Sequence, residues 1–138
     1  MSTNIYMVKS NSVIFDTNVW LGMLIKQDSL HKKSLQLVRE YNSHTKIVPE
    51  YIVLETLTLL RRHTTNAEVQ NTLQFFLDSD TVEVLPAVHS YDKTINLFQT
   101  INDKHLSFVD TSLLALSRDY EVKTFDKKLA SAIKKYSL

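Results

Sequence analysis

From residue 13 onward, short apolar runs of strand type alternate with longer stretches of helical period, and that alternation leaves few folds open. Val13-Ile14-Phe15 is the first run, and Asn18 to Lys26 follows it with Val19, Trp20, Met23 and Leu24 at helix spacing. Leu30 to Tyr41 repeats the helical period through Leu30, Ser34, Leu37, Val38 and Tyr41. Lys46-Ile47-Val48 then reads as a second strand ahead of Pro49, a residue suited to a helix start. Tyr51 to Arg62 is apolar almost all round and predicts a buried helix, while Ala67 to Leu77 predicts an amphipathic one. Further on, the pattern predicts a strand over Thr81 to Leu85, helices over Ser90 to Ile101 and Phe108 to Asp119, a strand over Glu121 to Phe125, and a closing helix over Lys127 to Tyr136. Strands and helices in this order predict an α/β fold, a parallel sheet with helices on both faces joined by right-handed crossovers. In such sheets the ligand crevice lies beyond the carboxyl ends of the strands.

Composition narrows the function. One Gly and two isolated Pro in 138 residues leave no flexible linker, so residues 1–138 are expected to form one domain. The first ten residues are expected to be an extension, disordered in part or whole. The absence of Cys excludes disulfides, thiol nucleophiles and Cys-based zinc sites. No apolar run is long enough to span a membrane and the start lacks a signal-peptide layout, so no membrane contact and a cytoplasmic location are expected. Sixteen Lys and Arg against fifteen Asp and Glu give a net charge of +1, which singles out no polyanion. The basic pairs Lys32-Lys33, Arg61-Arg62, Lys127-Lys128 and Lys134-Lys135 would touch phosphates if the fold gathered them, and are otherwise solvated helix faces. No histidines stand at HExxH spacing, and one glycine builds neither a Walker loop nor a GxGxxG turn. Asn18 stands where an aspartyl-nucleophile phosphotransferase needs a second acid.

Four acids remain. Asp16 ends the first strand and Asp126 follows the last, so both fall at the mouth of the expected crevice, and both also suit helix N-caps. Asp110 stands three after Ser107, a capping-box spacing at the start of an apolar helix. Glu55 has Tyr51, Ile52, Thr58 and Leu59 as helix neighbours, none of them basic, so it needs a cation, a donor network or an exposed edge. Asp103, nearby in sequence to Asp110, reads as a loop or cap residue. Carboxylates gathered in one crevice repel, and a hard divalent cation such as Mg²⁺ or Mn²⁺ relieves the repulsion, which points to metal-assisted chemistry on a phosphate ester.

The order and context of these acids resemble the PIN-domain ribonucleases. Val13-Ile14-Phe15-Asp16-Thr17-Asn18 resembles that family's opening strand, and Glu55 within Val53-Leu54-Glu55-Thr56-Leu57 its helical second acid. Asp110, opening the helix Phe108-Val109-Asp110-Thr111-Ser112-Leu113, is similar to the third, and Thr124-Phe125-Asp126 to the terminal motif. The resemblance implies a PIN-like three-layer sandwich built on a twisted parallel sheet. It also implies Mg²⁺ or Mn²⁺ held by Asp16, Glu55, Asp110 and Asp126, with Asn18 and Thr124 in support, and endonucleolytic cleavage of single-stranded RNA. A stand-alone domain of this size is most similar to the toxin half of a VapBC-type pair. That likeness implies a homodimer and an antitoxin peptide laid on an apolar groove near Trp20, Leu21, Met23 and Leu24. The alternatives are a PIN nuclease of RNA maturation or turnover without an antitoxin, and a non-catalytic RNA-binding or scaffold protein.

Overall fold

The computed structural model describes residues 11–136, and the extension expected over residues 1–10 lies outside them. Among the described residues the chain runs through β1 (Ser12–Phe15), α1 (Thr17–Leu24), α2 (His31–Glu40), β2 (Thr45–Pro49), α3 (Glu50–Leu60) and α4 (Asn66–Asp78). It continues through β3 (Val82–Leu85), a 3₁₀ turn at Ala87–His89, α5 (Tyr91–Thr100), α6 (Phe108–Leu116), β4 (Glu121–Lys123) and α7 (Lys127–Tyr136). All pairings are parallel and the strand order is β3-β2-β1-β4. The chain therefore steps from β1 to β2 to β3 in one direction and then returns to set β4 on the far side of β1. Right-handed crossovers put α1 to α4 on one face and α5 and α6 on the other. In keeping with this, α1 packs on α2 and α3, α3 on α4, α5 on α6, and α6 on α7. The reversal makes β1 and β4 the switch point, where the carboxyl ends of neighbouring strands open a crevice.

β1 is buried along its whole length, because helices cover both faces of the sheet and its apolar residues need no alternation. Val13, Ile14 and Phe15 are each 0% exposed. Full burial of such side chains is worth about 1.5–3 kcal/mol apiece, which anchors the strand and fixes where the next residue, Asp16, must fall. Trp20 is also core: its ring meets Phe15 and Phe76 edge-on at 5.6 and 5.2 Å. The chain's one glycine, Gly22, lies where α1 and α2 approach most closely. A Cβ there would overlap Ser34 Oγ and stand 3.3 Å from the Leu30 carbonyl.

Three elements differ from expectation. α3 is not a buried helix: only Ile52, Thr56 and Leu60 are buried, and Leu54 is 65% exposed. One helical face is buried, Val53 and Leu57 at its edges pack partly against the core, and Leu54 on the outer side is left exposed. The helix expected to reach Asp119 ends at Leu116, where Asp119 and Tyr120 both donate back to the Leu116 carbonyl and Tyr120 tucks into the core. β4 stops at Lys123, because the Thr124 hydroxyl and the Phe125 N–H bond the side chains of Asp16 and Asn18 in place of ladder partners, and Phe125 packs against the core. None of the helices is long and apolar enough to cross a membrane among the described residues.

Candidate active site

The end of β1 and the turn after β4 are stitched together by polar side chains. Asp16 is 7% exposed and caps α1, its Oδ1 accepting the Thr17 N–H at 2.7 Å. Its backbone N–H donates to the Lys123 carbonyl at 2.9 Å, extending the β1–β4 pairing by one residue. Thr124 is the hub: its hydroxyl donates to Asp16 Oδ2 at 2.6 Å and accepts from Asn18 Nδ2 at 3.3 Å and from the Asp126 N–H at 3.0 Å. Asn18 completes the stitch by accepting the Phe125 N–H at 3.2 Å. Both residues named in support of the acids thus hold Asp16 and the β4–α7 turn in fixed relation.

The second acid arrives from α3. Glu55 is half-buried and its Oε1 accepts from the Thr17 hydroxyl at 2.5 Å. A donor network, not a basic partner, is what satisfies it. Thr17 is 5% exposed and holds two acids at once, Asp16 through its N–H and Glu55 through its hydroxyl. Sequence reasoning passed over Thr17 because the bond to Glu55 joins residues far apart in the chain. The only local signal is its place between Asp16 and Asn18.

Asp110 enters from α6, on the opposite face. Its Oδ2 accepts the Ser107 N–H at 3.0 Å while its own N–H donates to Ser107 Oγ at 3.0 Å, the reciprocal capping box that the Ser-x-x-Asp spacing predicts. It is also felt at Asp16. Burial pushes the Asp16 carboxyl above its ordinary value, the Thr124 and Thr17 donors pull it back, and the negative charges of Asp110 and Glu55 push it further up. Glu55 and Asp110 therefore both bear on Asp16 although they come from helices on opposite faces of the sheet. Asp126 sits at the rim, exposed, with Oδ1 accepting the Lys128 and Leu129 N–H groups at 2.8 and 3.3 Å as the cap of α7.

Each carboxylate thus rests on donors of its own, and among the described residues no three or more acidic or histidine side chains form a ready-made metal cluster. Asp103 is a loop residue, as expected, its Oδ1 accepting the His105 N–H at 2.9 Å. Trp20, Met23 and Leu24 line a shallow groove of about 210 Å³ together with Phe75 and Phe76; Leu21 does not reach it.

No curated protein matches the sequence. Among solved structures, Mycobacterium tuberculosis VapC20, described as a Sarcin-Ricin loop cleaving toxin, is similar with a TM-score of 0.73. The two share 19% identity over 87% of this chain and 94% of that one, a likeness of fold. The PIN domain family model matches residues 13–135, from β1 through α7 and across all four acids, and the chain belongs to that family.

Proposed function

We propose that the chain is a divalent-metal-dependent endoribonuclease that hydrolyses RNA phosphodiester bonds, and the toxin of a toxin–antitoxin pair. The observation that carries the reading is Asp16, a carboxylate only 7% exposed at the end of β1, raised above its ordinary value by burial first and then by the charges of Asp110 and Glu55. A purely structural cap has no need of two further acids bearing on it. Hard carboxylate oxygens are the donor set that Mg²⁺ and Mn²⁺ prefer, and a cation among them would offset the repulsion. Asp16, Glu55 and Asp110 would hold it, with Asp126 closing the rim. When bound, the ion supplies Lewis-acid stabilisation of the scissile phosphate and lowers the pKa of an attacking water.

The chain's own residues do the placing. Thr124 and the Thr17 N–H hold Asp16 with both oxygens oriented, and the Thr17 hydroxyl holds Glu55. Asn18 holds the β4–α7 turn through the Phe125 N–H, and that turn carries Asp126. Fixed orientation of this kind is what keeps a site organised at no cost at the moment of reaction. The likeness to VapC20 supports the toxin reading. So does the apolar groove at Trp20, Met23 and Leu24, which suits an antitoxin segment. Exposed Leu54, Val88, Tyr91 and Phe98 offer apolar surface for the second copy of a homodimer.

The test is cleavage of total RNA by the purified chain with Mn²⁺, Mg²⁺ or EDTA. Discrete fragments are expected with either metal and none with EDTA; fragments that persist in EDTA would overturn the metal site. Thr17→Val should weaken Mn²⁺ binding about 10–100-fold, the usual loss when an outer partner of a ligand is removed, and Thr17→Ser should restore it. Calorimetric titration with Mn²⁺ measures both. Unchanged affinity in Thr17→Val would show that the hydroxyl serves packing alone.

A further inference from the structure

α7 carries Lys127, Lys128, Lys134 and Lys135 and no acid, in a chain whose charges as a whole nearly cancel. Lys134 and Lys135 sit in the last turn, where the helix dipole favours cations. Lys127 and Lys128 occupy the first turn, where the same dipole opposes them. A merely solvated face gives no reason for that placement, and a local rule broken without a structural gain marks a functional position.

A groove of about 330 Å³ runs beside α7, against the loop that precedes α6. It is lined by Lys127, Lys128 and Lys135 together with Asp103, His105 and Tyr136. The three lysines are exposed, and among the described residues none of them stands in an ion pair. The single acid of the groove, Asp103, is turned back on its own loop by the His105 N–H. Lys127, which lines the groove, directly follows Asp126 in the chain, so one end of the groove starts beside that acid.

We propose that this groove is the track along which the sugar–phosphate backbone of single-stranded RNA enters the site, with Lys127, Lys128 and Lys135 each neutralising a phosphate. The proposal rests on the ribonuclease reading and adds where the strand lies. From Lys127 and Lys128 at one end to Lys135 at the other the helix rises about 12 Å, so the two ends of the groove can meet different phosphates of one strand. Lysine serves such contacts as a point charge without reading sequence, so the track would position RNA and leave the choice of cleavage site to other residues.

The experiment uses the full chain carrying Asp16→Asn, so that RNA survives the measurement, and a labelled polyuridine oligonucleotide titrated across a range of salt. Adding Lys127→Ala, Lys128→Ala and Lys135→Ala together should lower affinity about 100-fold near 0.1 M salt and reduce the slope of log affinity against log salt by about two, at about 0.7 per phosphate contact. Lys32→Ala with Lys33→Ala removes charge from α2, outside the groove, and should leave affinity within about twofold and the slope nearly unchanged. An unchanged slope in the α7 variant, or an equal loss in the α2 variant, overturns the track. Tighter binding of polyglutamate than of polyuridine would assign the groove to an acidic peptide and also overturn it. Cleavage of total RNA by wild type reads the nuclease separately: if the slope effect is found and no cleavage is, the RNA track stands and the nuclease reading falls.

Discussion

Asp16→Asn is expected to abolish RNA cleavage and at the same time to raise the melting temperature at neutral pH. Removing a ligand charge that supports several kcal/mol of transition-state stabilisation corresponds to a loss of about 10³-fold in rate. The gain in stability follows from the direction in which the Asp16 carboxyl is displaced. Burial raises it first, and the charges of Asp110 and Glu55 add to the rise, against an ordinary value of 3.8. A carboxyl whose folded pKa lies above its unfolded one stabilises the fold in its protonated form. That contribution is fully present below the unfolded value and is lost as pH climbs through the folded one. At pH 7 the ionised Asp16 is therefore a burden that Asn does not carry; Asn Oδ1 still accepts from the Thr17 N–H and keeps the cap of α1, and the loss of the Thr124 bond, which the Asn amide nitrogen cannot accept, offsets only part of the gain. Melting curves across the acid range should show the two proteins converging as pH falls. If Asp16 were a cap and nothing more, Asn would preserve both cap and cleavage, and retained cleavage is the outcome that would sink the site.

What could be read from the chain itself was whatever depends on near neighbours. The apolar run Val13-Ile14-Phe15, the Ser107-to-Asp110 spacing and the acid before Lys127 are local signals, and the structure bears each out as a buried strand, a capping box and an N-cap. What escaped depends on partners far along the chain. Nothing near Thr17 announces that its hydroxyl holds Glu55, a residue 38 positions away. Asp110 is visible as a cap, but that its charge bears on Asp16, 94 residues earlier in the chain, is settled only by the fold. Among four similar basic pairs, only the fold decides that Lys127 and Lys128 line a groove with Asp103 and His105 of the loop before α6. The early end of β4 has the same origin: Phe125 gives its N–H to Asn18 in place of a ladder partner.

Phe15 and Leu54 are equally apolar in sequence, and substituting each separates what composition cannot. Phe15→Ala is expected to cost about 3–5 kcal/mol, the range for deleting a buried aromatic ring and leaving its cavity. Phe15 is 0% exposed, and its ring stands edge-on to Trp20 and Tyr41 at 5.6 and 5.9 Å. Those contacts tie β1 to α1 and to the end of α2, so no single neighbour can move to fill the space. A loss of that size is a large share of the 5–15 kcal/mol that holds a typical domain together, and corresponds to a drop in melting temperature of about 10–20 °C. Phe15→Leu keeps most of the apolar volume and should lose about 1.5 kcal/mol. Leu54→Ala, by contrast, removes a side chain that is 65% exposed and should change stability by no more than about 0.5 kcal/mol. Urea unfolding measures all three, with the midpoint shifting and the slope held. Because Asp16 is the next residue after Phe15, the fraction of Phe15→Ala that remains folded should also cleave RNA more slowly than the fraction of Leu54→Ala. Equal losses of stability in the two alanine variants would mean that β1 is not the anchor of the site, and that Asp16 is held by its hydrogen bonds alone.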